Sequence, residues 1–188
     1  MVLRVLFSLL LICPPLAQGG VDSCLATLRP YVTIGEKDLL DVPERWRNRR
    51  LVEDGERELF LRNSGYADST GNLSSKIKLE ELVSCSTDSL SVKLLRVVGN
   101  EGTKDENIYI VTYVGKEILS RTLIASLQAT CDNTFLRGCS MMDDGSIRVG
   151  QLRHAFDCEK DEFLKTEQLA GLSIRIRDDG SITEIVDE

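Results

Sequence analysis

Two regions of the chain carry apolar and polar patterns that are typical of β-hairpins. Residues 89–115 contain two runs dense in strand-forming residues, which are separated by a polar, Gly-containing segment. Because both runs are almost continuously apolar, the pattern predicts a central pair of strands that is buried on both faces. Residues 173–186 alternate apolar and polar side chains around Asp178-Asp179-Gly180, which predicts a second hairpin.

A helix is predicted near residues 151–170, where six apolar side chains fall at helical spacing. Residues 117–131 fit a helix and a strand equally well. The remaining expectations are a loosely ordered 20–40, a helix from Pro43 through Trp46 to about Asp54, a short strand at 57–62 and a strand edge at 76–79. Together these elements predict an α+β fold with a β-rich core.

The N-terminus has the order of features that is typical of a secretory signal peptide. Arg4 precedes the apolar run 6–13, two prolines follow, and Ala17-Gln18-Gly19 offers small residues for cleavage. We therefore expect residues 1–19 to be a signal peptide and the secreted, extracellular chain to begin at Gly20. The apolar run is too short to span a bilayer, and no later run is long enough, so no membrane span is expected.

Five cysteines follow the predicted signal peptide, and an oxidising compartment favours disulfide bonds between them. Their odd number leaves one thiol unpaired, and the sequence alone does not choose the connectivity. One simple expectation leaves the first cysteine unpaired, because it is remote from the others, and pairs the other four within 85–158. The disulfide candidates are Cys24, Cys85, Cys131, Cys139 and Cys158.

A zinc site is the alternative interpretation of the later cysteines. Cys131, Cys139, His154 and Cys158 could supply four ligands. Zinc sites usually bring one pair of ligands within two to four intervening residues, and the gap between the first two cysteines is wider. We therefore favour disulfides and expect no cofactor.

Asn72-Leu73-Ser74 is an N-glycosylation sequon in a polar loop rich in glycine and serine. In a secreted chain, an exposed sequon of this kind is a plausible glycan site. We therefore expect the chain to be a glycoprotein that is modified at Asn72.

A basic cluster lies within the first third of the chain. Arg47, Arg49 and Arg50 form an Arg-x-Arg-Arg pattern that resembles sites cut by furin-like proprotein convertases, which bind guanidinium groups in an acidic cleft. Cleavage there would make residues 20–50 a propeptide and 51–188 a single globular domain. Alternatively, the arginines form a solvated face that pairs with Glu44, Glu53 and Asp54.

Two further motifs resemble known families. Asp143-Asp144-Gly145-Ser146-Ile147 recurs at 178–182, and its first copy resembles the second half of an EF-hand, but Met142, Gln151 and their counterparts in the second copy cannot supply the calcium ligands. The segment 49–57 loosely resembles the RxLR and acidic Glu-Arg segments of oomycete secreted effectors, although no Arg-x-Leu-Arg occurs.

The net charge and the motifs of the chain reduce the number of function classes that fit it. The chain has 188 residues and a formal net charge of −7, which disfavours binding to nucleic-acid phosphates, and its aromatic content of 5% disfavours base stacking. It contains no nucleophile elbow, P-loop, dinucleotide fingerprint or zinc-protease motif, and His154 is its only histidine.

We therefore expect a secreted, disulfide-stabilised, non-enzymatic binding protein. Its partner would be an extracellular protein or a small apolar ligand held against the sheet. One alternative is a convertase-processed precursor, a ligand or effector whose active part is 51–188. A second alternative is a secreted hydrolase of unfamiliar design, in which acidic pairs such as Glu80-Glu81 converge in a cleft.

Overall fold

The computed structural model describes residues 20–99, 106–160 and 162–186, so the predicted signal peptide lies outside the described residues. Three helices and a 3₁₀ turn lie in the first third of the chain. Nine strands account for most of the rest of the described chain. The helices are α1 (Val21–Val32), α2 (Glu36–Leu40) and α3 (Asp54–Asn63), with the 3₁₀ turn at Glu44–Trp46. The strands are β1 (Arg50–Leu51), β2 (Lys78–Ser86), β3 (Ser91–Val98), β4 (Glu106–Val114), β5 (Glu117–Ala129), β6 (Asn133–Met141), β7 (Ile147–Asp157), β8 (Glu162–Ile176) and β9 (Ile182–Val186).

All nine strands belong to one antiparallel sheet, in which each strand pairs with its neighbours in the chain. This order needs no crossover connection, because short turns can join consecutive antiparallel strands. The α+β prediction therefore holds only in part, since the molecule is dominated by its sheet and has few helices.

Both predicted hairpins are present. β3 and β4 pair from Ser91↔Tyr113 to Val98↔Glu106, and the pair is buried on both faces as expected. β8 and β9 pair next to the Asp-Asp-Gly-Ser turn, in which Gly180 has a φ of 81°. A residue with a side chain rarely adopts this backbone conformation, which is why the turn contains glycine.

The predicted helix near 151–170 is wrong, because this segment forms the end of β7, a turn and most of β8. The turn is stabilised by Asp157, whose Oδ1 accepts hydrogen bonds from the backbone amides of Glu159 and Lys160. Two β-bulges interrupt the β7–β8 ladder and shift its register. The irregular spacing of apolar residues in such a bulged hairpin is easily confused with helical spacing.

Several shorter predictions were also wrong. The segment 20–40 is not loosely ordered but forms α1 and α2, and 57–62 lies in α3 rather than in a strand. Of the helix expected after Pro43, only the 3₁₀ turn is present, and the ambiguous 117–131 segment is mostly strand β5. α1 is helical because its apolar residues repeat along one face, which packs into the core.

Two hydrophobic cores lie on opposite faces of strands β2–β4. On one face, α1 packs against the sheet, and its Leu28 and Val32 are completely buried. On the other face, α3 covers the sheet with Phe60 and Leu61, which are also completely buried. Strands β2–β4 are therefore an interior layer of the molecule.

Two links hold α1 and the segment after it against the sheet. The disulfide Cys24–Cys85 joins α1 to β2. Ile34 then pairs with Cys139 of β6 through two backbone hydrogen bonds of 2.8 and 2.9 Å. The N-terminal helices are thus placed between two parts of the sheet, and α2 lies beside β6.

Candidate ligand-binding site

A cleft lies between the start of α2 and the strands β6, β7 and β8. Its volume is about 960 Å³ and it is open to solvent on one side. Apolar side chains from α2 and all three strands line it. These are Leu39, Leu136, Val149, Leu152 and Leu169.

Glycines of the three strands form the floor of the cleft. Gly138 of β6 and Gly150 of β7 lie directly opposite each other, and Gly171 of β8 also lines the cleft. A Cβ atom added at Gly150 would meet nothing within 4 Å, whereas one added at Gly138 would lie 2.7 Å from the carbonyl oxygen of Ile34. Gly138 therefore permits close approach of the backbone at Ile34, and Gly150 leaves cleft space empty.

The polar groups of the cleft are few. Its charged side chains are Glu36, Arg137 and Arg148, and Gln151 and Gln168 add neutral amides. The guanidinium group of Arg137 donates a hydrogen bond to the carbonyl oxygen of Leu123 at 3.3 Å, which leaves Arg148 as the cation on the same side of the β6–β7 pair as Gly150. Such a lining favours a ligand whose polar end is neutral or anionic.

The cleft offers little chemistry for catalysis. Its lining contains neither histidine nor aspartate, and its nucleophile candidates are Cys139 and Ser140. The Cys139 side chain is buried, and its Sγ donates a hydrogen bond to the carbonyl of Val32 at 2.7 Å. Burial raises the pKa of this thiol to about 12, so that it stays protonated and unreactive at neutral pH.

The cysteine pairing differs from the simple sequence expectation. Cys24 is not the unpaired residue, because it is joined to Cys85, and a second disulfide joins Cys131 to Cys158. Cys139 is the unpaired cysteine of the described chain. The packing of α1 against β2 explains the Cys24–Cys85 bond, and no local sequence signal encodes this packing.

The four residues considered for zinc are not assembled as a ligand set. Cys131 and Cys158 are joined in a disulfide, and Cys139 is bonded to Val32 in the core. His154 lies on β7, where its Nδ1 is 2.8 Å from Oγ1 of Thr166 on β8.

The three arginines of the basic cluster make ion pairs, two of them with β2. Arg49 pairs with Glu80 at 3.0 Å, and Arg50 forms a two-pronged contact with Glu81 at 3.0 and 3.1 Å. Arg47 is exposed and pairs with Glu44 at 3.1 Å. Cleavage after Arg50 stays a prediction.

Cleavage at that site would not by itself separate the two products. Cys24 lies before Arg50 and Cys85 lies after it, so the disulfide would keep residues 20–50 attached to the remainder. The same segment also supplies buried core residues, including Leu28 and Trp46.

A buried ionic network on β2–β4 was missed by the sequence analysis. Arg96 is 7% exposed and donates to both oxygens of Glu106 at 2.6 and 2.9 Å, and to Glu80 at 2.8 Å. Beside it, Lys93 is 2.6 Å from Glu56 and 3.4 Å from Glu81. The sequence signal that could have indicated this network is the presence of Lys93 and Arg96 within the otherwise apolar strand β3.

These contacts shift the ionisation of the groups in the network. Burial by itself raises the pKa of Glu81, but hydrogen bonds from Arg50 and Ser84 and the charge of Lys93 outweigh burial, so the pKa lies below its usual value. Burial by itself lowers the pKa of Arg96, but its contacts with Glu106 outweigh burial, so the pKa lies above its ordinary value. Both shifts favour the charged forms of Glu81 and Arg96.

The repeated Asp-Asp-Gly-Ser-Ile motif forms two hairpin turns of the same design. In the β6–β7 turn, Oδ1 of Asp144 accepts hydrogen bonds from the backbone and hydroxyl groups of Ser146. In the β8–β9 turn, Asp179 and Ser181 make the same two bonds. Turn formation accounts for the repeat, so the EF-hand resemblance does not extend to the structure.

Asn72 is exposed in the loop between α3 and β2. Its side-chain amide donates a hydrogen bond to Oγ1 of Thr70 at 2.8 Å. Glycosylation of Asn72 stays a prediction.

Comparisons with known proteins give no family for this chain: no protein-family model, curated protein or solved structure matches it. Within the described residues, none of the helices combines the length and hydrophobicity required to cross a membrane.

Proposed function

We propose that this chain is a secreted, non-enzymatic binding protein whose cleft across β6–β8 holds a small, largely apolar ligand. The observation that carries this proposal is the open cleft of about 960 Å³ with leucines on its walls and a glycine floor. Sites for small ligands have volumes of about 300–1,000 Å³ and combine an apolar lining with a few polar groups. The two disulfides support secretion, because such bonds persist in oxidising compartments.

The ligand would lie with its apolar part against Leu136 and Leu152. Its polar end would face the guanidinium group of Arg148, which lies on the same side of the β6–β7 pair as Leu136 and Leu152. Binding is favoured over catalysis because the thiol of Cys139 is buried and protonated.

A fluorescent probe of this chemistry tests the cleft directly. The probe 8-anilinonaphthalene-1-sulfonate has an apolar aromatic body and one anionic group. We expect saturable binding with a stoichiometry of one, and we expect Gly150→Leu to weaken it at least about tenfold, because the new side chain enters cleft space. Fluorescence titration measures both quantities.

Gly55→Leu is the matched control. A Cβ at Gly55 also meets nothing within 4 Å, but Gly55 lies in α3, away from the cleft. Unchanged binding in this variant, with loss in Gly150→Leu, supports the proposal. Equal binding by the two variants, or fluorescence that never saturates, contradicts it.

Secretion is tested separately, by expressing the chain in eukaryotic cells. Protein collected from the medium of eukaryotic cells should begin near Gly20, and its mass should fall on deglycosylation if Asn72 carries a glycan. A chain retained inside the cells with an intact N-terminus would contradict secretion.

A further inference from the structure

One long edge of β8 has no partner strand in the described chain. On one side, β8 pairs with β7 along most of its length. On the other side, it pairs with β9 only through Leu172–Ile176, and no described residue pairs with 162–171. Unpaired backbone donors and acceptors at a sheet edge favour the addition of another strand.

The side chains of this edge leave it accessible. Residues 162–166 are all exposed, including Phe163 at 54% and Leu164 at 56%. Phe163 packs edge-to-face against Phe156 across the hairpin, with ring centroids 5.7 Å apart. The edge therefore combines an open backbone with exposed apolar surface.

The charges along the β8 edge are complementary to those of a second β8 edge that runs in the opposite direction. Lys165 and Glu167 flank Thr166, and these three residues lie between the two register shifts of the β7–β8 ladder. If the β8 strand of a second copy runs antiparallel with Thr166 opposite Thr166, each Lys165 lies opposite Glu167 of the second copy. Opposite charges and paired threonines are both favourable cross-strand neighbours.

Charge selects this register over its neighbours. A two-fold axis at Lys165 would place two ammonium groups opposite each other, and an axis at Glu167 would oppose two carboxylates. Like charges directly opposite each other in a ladder are destabilising. The axis at Thr166 instead creates two attractive pairs.

We propose that the chain forms a two-fold homodimer in which the β8 edges of two copies pair antiparallel, centred on Thr166. This pairing closes the assembly, because a two-fold contact uses the same β8 edge of both copies and leaves no second copy of that edge open. The proposal does not depend on ligand binding. It does place the clefts of the two copies near each other, because 168–171 belong to both the edge and the cleft.

Charge reversal tests the dimer. We expect the unmodified chain to pass from monomer to dimer between nanomolar and hundreds of micromolar concentrations in sedimentation velocity. Lys165→Glu and Glu167→Lys should each raise the dissociation constant at least about tenfold, because both change two attractive pairs into repulsive ones. The double variant K165E/E167K should restore dimerisation.

Mixing the two single variants provides the sharpest measurement. One variant then has two carboxylates and the other two ammonium groups, so a heterodimer should form although neither variant dimerises well alone. Lys116→Glu, in an exposed turn away from β8, is the control for net charge and should dimerise normally. Far-UV circular dichroism checks the fold, and Lys165→Gln with Glu167→Gln, each expected to weaken the dimer, replace any reversal that unfolds.

Three results would overturn the proposal. The first is a monomer at every concentration. The second is a dimer whose dissociation constant is the same in both single variants as in the unmodified chain. The third is a mixture of the single variants that shows no heterodimer.

Discussion

Strands β3 and β8 belong to the same sheet but differ in their contact with solvent. β3 lies between two cores, and every residue from Leu94 to Val97 is buried. β8 is exposed over its first five residues and is buried only near its end, at Ile174 and Ile176. Membership of a sheet therefore does not determine burial; the helices that cover the sheet do.

The two regions also use charge differently. Arg96 on β3 is enclosed and bound by two carboxylates, whereas Arg153 on β7 has a side chain that is 39% exposed and pairs with Glu167 at 3.4 Å. A buried ion pair is costly to break, while an exposed pair is screened by water. The closed region β2–β4 therefore contains the enclosed ion pairs, and the open region β6–β9 contains the proposed cleft and the proposed dimer edge.

The largest expected effect comes from removing one arginine in each region. Arg96→Met should lower the free energy of unfolding by about 3–5 kcal/mol, because it leaves the buried Glu106 without its partner and removes one of the two ion pairs of Glu80. Arg153→Met should lower it by less than about 1 kcal/mol. Urea denaturation of both variants measures the difference, and equal losses would contradict the division into closed and open regions.

A smaller difference in stability is expected between alanine substitutions at two glycines that lie opposite each other in the open region. Gly138→Ala should destabilise the chain by about 1–3 kcal/mol, because its Cβ would lie 2.7 Å from the carbonyl oxygen of Ile34. Gly150→Ala should change stability by less than about 0.5 kcal/mol, since its Cβ enters open space. Thermal unfolding compares the two, and an equally harmful Gly150→Ala would show that the cleft is not open at that point.

The smallest effect is a pH dependence. The pKa of Glu81 is lower in the folded chain than its usual 4.5, so the unfolded chain takes up the proton first as the pH falls. The stability that Glu81 contributes is therefore complete above about pH 4.5 and is lost as the pH falls through its folded pKa.

Glu81→Gln should consequently flatten the acid limb of the stability profile. Glu167→Gln is the matched control in the open region. Hydrogen bonding from Lys165 also lowers the pKa of Glu167, but its side chain is 34% exposed against 7% for Glu81, so its removal should change the profile less. Urea midpoints measured between neutral and acidic pH test both variants. A steeper acid limb in Glu81→Gln would contradict the assignment.

The features that the sequence predicted depend on local signals. The β3–β4 and β8–β9 hairpins follow from dense strand-forming runs around glycine-containing turns, and both are present. The β7–β8 hairpin was predicted as a helix because its bulges break the alternation that identifies strands. Local pattern alone does not locate a bulge, which depends on the pairing of two distant segments.

The candidate site was not predictable in the same way. Gly138 and Gly150 form one floor only because the register of β6 and β7 places them opposite each other. The partner of Cys24 depends on α1 packing against β2, which adjacent residues do not encode. Four of the five disulfide candidates form disulfides and Cys139 does not, and their connectivity required the three-dimensional structure.

The burial of Cys139 has a consequence for the covalent integrity of the chain. A free thiolate in a chain that also contains disulfides can exchange with them and rearrange the bonds. Here the thiol is protonated and covered by the backbone of Val32 and Ile34, so exchange requires this segment to leave β6 first. The segment from Val32 to Ile34 thus protects the disulfide pattern from exchange. The rate at which Cys139 reacts with a thiol reagent therefore measures how often this segment separates from β6.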